Sequence, residues 1–117
     1  MFRNAPQRNA CVSTLLGLIG KAHWCTEEDN LTDEAFDLLE RHRDNRELPL
    51  SSSEERIFLF ALGLLYADVS TNVVYLMQRL DLRNKQVVAH FLAAVSVENS
   101  TEQLDQWLNK YERLRAP

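Results

Sequence analysis

Apolar residues recur at intervals of three and four along most of the chain, which predicts an all-α fold of about six short helices. Pro6 suits a first helical turn, and Val12, Leu15, Leu16 and Ile19 follow on one face, so the first helix is expected to end near Trp24. The chain restarts over Asn30 to Thr32. Thr32 reads as an N-cap, Asp33 and Glu34 suit the first turn, and Leu31 is placed to staple onto Phe36 in a helix running to about Arg43. Pro49 interrupts the pattern. Ser52 with Glu55 then forms a capping box for a helix from about Ser53 to Asp68. Ser70, with Val69 and Val74 as staple, starts a short helix to about Leu80, and Asn84 caps the next to about Val97. Ser100 with Gln103 makes a second capping box, before one stripe of Leu104, Trp107, Leu108, Tyr111 and Leu114.

Composition supports this reading. With 117 residues, 45% of them hydrophobic, the chain is long enough for a single helical domain over 1–117. Three glycines and three prolines are too few for the frequent turns of a sandwich or barrel. The net charge of −4 disfavours nucleic acid and anionic membrane as partners of the whole surface. That charge is uneven: residues 1–25 carry only Arg3, Arg8 and Lys21, whereas 26–56 hold most of the acids, including Glu27, Glu28, Asp29, Asp33, Glu34 and Asp37. Those acids read as a solvated face and helix N-terminal charge. Two cysteines, no cleavage site after the Ala10–Gly20 run, and an apolar run over Ile57–Ala67 too short to span a bilayer point to a reduced, cytoplasmic protein.

One pattern occurs twice. Leu16-x-x-Ile19-Gly20-x-x-His23 and Leu59-x-x-Leu62-Gly63-x-x-Tyr66 resemble the first helix of a tetratricopeptide repeat, in which glycine admits a second helix crossing closely. The segment from Asp33 to Glu40 is similar to the repeat's second helix, with Ala35 as its small contact residue, and the C-terminal stripe would close a third hairpin. Gly20, Ala35, Gly63 and Tyr66 are therefore the hairpin-packing candidates. The glycines are 43 residues apart, longer than the usual repeat, and the fifth helix lacks its glycine.

If Leu59, Leu62, Gly63 and Tyr66 pack within a hairpin, then Ile57, Phe60, Leu64 and Ala67 fall on an apolar concave face suited to a partner's amphipathic helix. The alternative is a central bundle helix that is apolar all round. Some of Val73, Val74, Leu76, Met77, Val87, Val88, Phe91 and Leu92 are also hard to cover within so few hairpins. Leu18-Ile19-Gly20-x-x-x-x-Cys25-x-Glu27-Glu28, followed by the Ala35 helix, resembles the opening hairpin of the small tetratricopeptide-like chaperones for type III secretion needle subunits. That resemblance implies a cytosolic protein whose groove sequesters the needle subunit's C-terminal helix, often beside a small helical co-chaperone.

Two other classes stay open. Leu80 to Val87 looks like the turn and recognition-helix start of a helix-turn-helix, with Arg83, Asn84, Lys85 and Gln86 available to phosphates and base edges. Asp81 replaces the usual turn glycine and places an acid near those phosphates. The apolar surface could instead be the protein's own dimer interface. Cys11, His23 and Cys25 could supply three metal ligands but lack the fourth of a structural zinc site, and a core thiol and imidazole are the commoner use of such residues. No phosphate loop, Glu-x-x-His pair or hydrolase elbow occurs. The expectation is a non-enzymatic binding module without a cofactor. In that reading Phe60→Asp removes partner binding without unfolding the chain, and Gly20→Leu and Gly63→Leu harm the fold more than Gly17→Ala.

Overall fold

The computed structural model describes residues 1–26 and 31–116. Its six α-helices are α1 (Ala5–Leu16), α2 (Asp33–Arg43), α3 (Ser52–Leu62), α4 (Val73–Arg79), α5 (Leu82–Val95) and α6 (Ser100–Lys110). Three 3-10 turns, Gly17–Ile19, Ala22–Trp24 and Glu112–Arg115, complete the all-α architecture. Among the described residues no helix is long and apolar enough to cross a membrane.

Caps set most of the boundaries. Asn4 accepts a hydrogen bond from the Gln7 N–H at 2.9 Å, and Thr32 accepts one from Ala35 N–H at 3.3 Å, so α1 and α2 each begin with an orphan donor satisfied. Elsewhere the expected caps are displaced. Ser51 and Glu54, not Ser52 and Glu55, form the capping box of α3. Asn72 caps α4 in place of Ser70, because its carboxamide reaches two backbone N–H groups. Asp81 caps α5 in place of Asn84, whose own N–H it accepts at 2.8 Å. Ser100 is helical rather than capping, and its hydroxyl donates to the Met1 carbonyl at 2.9 Å. The expected Val69–Val74 staple fails as well, since Val69 is buried and Val74 is 64% exposed.

Two helices end earlier than their apolar patterns suggest. α1 stops at Leu16, tightens into a 3-10 turn and terminates at Gly20, whose φ of 72° is a left-handed conformation. A second 3-10 turn then seats Trp24, almost fully buried, edge-on against Phe58 of α3 with ring centroids 5.7 Å apart. Trp24 also ties α2 in place: its indole N–H donates to Glu34 at 3.2 Å and its carbonyl accepts from Thr32 N–H at 3.0 Å. α3 ends at Leu62, so Leu64 and Ala67 lie in the following turn rather than on a helix face.

α1 is the central helix, packed on α3 and α6, while α4 packs on α3 and α5 on α6. The expected first hairpin of α1 with α2 is replaced by these pairings. The C-terminal turn then closes the structure. Leu114 passes so near α1's end that a Cβ on Gly17 would overlap its carbonyl oxygen. Arg115 donates to the buried Thr14 hydroxyl at 2.9 Å and to the Leu108 carbonyl at 3.2 Å. At the other end of α1, Gln7 donates to the Thr101 carbonyl at 2.8 Å and to Asp105 at 3.0 Å, and Arg3 pairs with Asp105 at 2.7 Å.

These contacts reverse the expected ranking of Gly17 and Gly20. Gly17, like Gly63, is closely approached by main chain from another segment, and Gly20, with open space where its Cβ would stand, is needed only for its backbone angle. Gly17→Ala is expected to cost about 2–3 kcal/mol through overpacking against main chain. Gly20→Ala is expected to cost about 1–2 kcal/mol, the ordinary penalty of a left-handed L-residue. Urea denaturation of the two variants measures the order; equal or inverted costs would refute the close approach. The hydrogen bonds from Arg3 and Gln7 hold the Asp105 carboxyl below its ordinary value of 3.8. Its contribution to stability is therefore full above that value and lost as pH falls through the lower folded-state value. Asp105→Asn is expected to flatten that acid limb in a pH series of unfolding midpoints, while an unchanged limb would exclude this carboxylate.

Candidate functional site

The apolar residues proposed for a groove do not share one open face. Ile57 is buried, Ala67 is exposed, and Phe60 and Leu64 are half-buried. Phe60 stacks edge-on against Phe91 of α5, with centroids 6.0 Å apart. That contact begins a line of rings through Phe91, Trp107 and Tyr111, with successive centroids 5.0 and 5.7 Å apart. Trp107 fixes the line by donating its indole N–H to the Val87 carbonyl at 3.0 Å. Phe60 thus joins α3 to α5, so Phe60→Asp would disturb packing and is no clean test of a surface.

Open apolar surface gathers instead on α4. Within its seven residues only Leu76 is fully buried, whereas Val73, Val74 and Tyr75 are exposed in succession. Leu82, at the first position of α5, is 74% exposed. A helix this short draws its stability from packing, and here that packing is one side against α3. Arg56 of α3 lies 5.2 Å over the Tyr75 ring and steadies it from the α3 side. Of the residues hard to cover, Leu76, Val87, Val88 and Phe91 are buried, Met77 and Leu92 are partly covered, and Val73 and Val74 stay open.

The hairpin candidates have local roles. Ala35 is buried on α2. Gly63 is crowded by the Val69 carbonyl, 2.9 Å from where its Cβ would be, so its close neighbour is the returning loop rather than a crossing helix. Tyr66 lies in that loop, 5.0 Å beneath the Arg43 guanidinium. Arg43 in turn grips Asp68 through two N–H···O bonds of 2.9 and 3.2 Å and Glu40 through one of 2.8 Å. The Arg43 contact holds the Asp68 carboxyl below its ordinary value. This clasp between α2 and the loop after α3 was missed by sequence spacing, because its partners are 25 residues apart and carry no local pattern.

Arg83, Asn84, Lys85 and Gln86 occupy the first two turns of α5, with Arg83 and Gln86 exposed. α4 and α5 are separated only by Leu80 and Asp81, but α4 packs mainly on α3 and α5 mainly on α6. Arg83, Asn84 and Gln86 line a cleft of about 400 Å³ together with residues from α6 and the C-terminal turn. Cys11 and Cys25 are buried thiols. Burial pushes the Cys11 thiol up to about 12, with nearby Arg115 opposing the shift, so it remains protonated at neutral pH. Among the described residues no group of three or more His, Cys, Asp or Glu is arranged to hold a metal ion. Glu27, Glu28 and Asp29 of the acidic run, and Asn30 before α2, lie outside the described residues. No family model, curated protein or solved structure matches this chain.

Proposed function

We propose that this protein is a non-enzymatic binding module that covers the amphipathic helix of a partner protein. The observation that carries the reading is the run Val73, Val74, Tyr75 exposed on a helix whose other side alone is packed. Three adjacent apolar side chains in water are an uncommon use of a short surface helix, and a partner's apolar stripe would remove them from solvent. Leu82, exposed at the start of α5, is a further apolar contact for such a helix. The docking position is thus moved from the Ile57, Phe60, Leu64, Ala67 set to α4. A cytoplasmic secretion chaperone acting on a needle-type subunit, with a helical co-chaperone, is one form of this function. Its support is the sequence resemblance and the available apolar surface.

Val74→Asp provides the test, since a 64% exposed side chain can be changed with little effect on folding, within about 0.5 kcal/mol. Tagged wild-type and Val74→Asp proteins are used to retain partners from the native source, and each is sized by light scattering. The expected result is a small helical protein held in a defined stoichiometry by the wild type and lost from the variant. Equal retention by both would overturn the α4 surface. A wild-type dimer that becomes a monomer in the variant, with no other protein retained, would replace sequestration by self-association.

A further inference from the structure

A second feature, independent of α4, is the cleft of about 400 Å³ formed where α5, α6 and the C-terminal turn meet the end of α1. Arg83, Lys110 and Arg113 line it, and no acidic side chain does. Among the described residues, none of these three cations has a carboxylate within ion-pair distance, whereas Arg3, Arg41 and Arg46 each have one and Arg43 has two. In a chain with a net charge of −4, three cations sharing one concave surface repel one another, and a bound anion relieves that repulsion.

The neutral lining also suits a ligand. Lys110 Nζ stands 3.5 Å from His90 Nδ1, and the Tyr111 hydroxyl is 2.5 Å from the same nitrogen. Both contacts are side-chain hydrogen bonds to the imidazole. This arrangement fixes Lys110 and Tyr111 at the cleft wall. Asn84 and Gln86 add amide donors, and Leu18 and Val87 add an apolar wall. The positive charge is carried by side chains, and at the start of α5 the Asp81 carboxylate accepts the Asn84 N–H.

We propose that this cleft is a binding site for a small phosphomonoester. Three cations exceed what a single carboxylate neutralises, whereas a phosphomonoester carries roughly −1.5 to −2 at neutral pH and offers three acceptor oxygens to donors converging from different elements. The volume lies in the range of small-ligand pockets, about 300–1,000 Å³, and leaves room for an apolar or planar body against Leu18, Val87 and the Tyr111 ring.

The probes are inorganic phosphate, AMP, acetate and a short DNA duplex, each titrated into the ¹⁵N-labelled protein at low salt. Phosphate and AMP are expected to shift the Gly17 and Arg83 amides saturably, with AMP binding more tightly through its body. Acetate is expected to bind at least about tenfold more weakly than phosphate, a difference equivalent to one decade in Kd. Arg83→Gln and Arg113→Gln, made separately at exposed positions, are each expected to weaken AMP binding several-fold while Tm stays unchanged. Arg46→Gln, away from the cleft, is expected to leave it unaltered. Absence of saturation with phosphate and AMP, acetate binding as tightly as phosphate, or wild-type affinity in both cleft variants would overturn the site. Duplex DNA binding without AMP binding would overturn it in favour of a nucleic-acid surface.

Discussion

The structure depends on the closure of the C-terminal segment over α1. α1 carries Gln7, Asn9, Ser13 and Thr14 among its buried residues, a polar load that is costly unless partnered, and of these side chains only Asn9 keeps a buried N–H group, at Nδ2, without a hydrogen-bond partner. Much of the partnering comes from the far end of the chain. Gln7 is met by Thr101 and Asp105, and Thr14 receives the Arg115 guanidinium while donating to the Ala10 carbonyl. Ser13 finds the Ala22 carbonyl in the turn that follows α1. Gly17 permits the last element of this closure, because only a residue without a Cβ lets the Leu114 main chain come so near.

Local chemistry was legible in the sequence wherever it was decided within one turn. The all-α class, Thr32 as a cap and the Leu104–Trp107–Leu108 stripe all follow from spacing and side-chain type, and the structure carries them as read. Competing caps were harder. Ser51 and Ser52, or Asp81 and Asn84, are chemically equivalent starts, and which one caps depends on where the preceding loop delivers the chain. The end of α1 was hidden for a different reason. Leu18 and Ile19 continue the apolar period, yet the backbone there tightens and turns left-handed at Gly20 so that Trp24 can reach Phe58.

The glycine roles and the groove depended on tertiary pairing that no motif encodes. A repeat-like pattern assigns Gly20 to close packing, but packing is decided by which segment lies opposite, and the segment opposite α1's end is the C-terminal turn beside Gly17. Likewise Phe60 would line a concave face only if α3 had a free side. Phe91 fills that side, and the remaining open apolar area falls to α4. The cationic cleft was visible only in part, as the polar start of α5. Lys110 and Arg113 come to Arg83 from nearly thirty residues away, once α6 has folded back on α5.

Closure therefore supports both the fold and the cleft, since the same turn that seals α1 brings Arg113 and Leu114 to the cleft wall. The direct measurement is urea unfolding of a chain that ends at Lys110, compared with the full chain. Loss of the part-buried Arg115 hydrogen bonds costs about 1–3 kcal/mol, and loss of the Leu114 and Tyr111 contacts adds to it. A stability lower by about 3 kcal/mol or more is the expected result. A shortened chain as stable as the full one, to within about 0.5 kcal/mol, would contradict the dependence of α1 on its C-terminal cover.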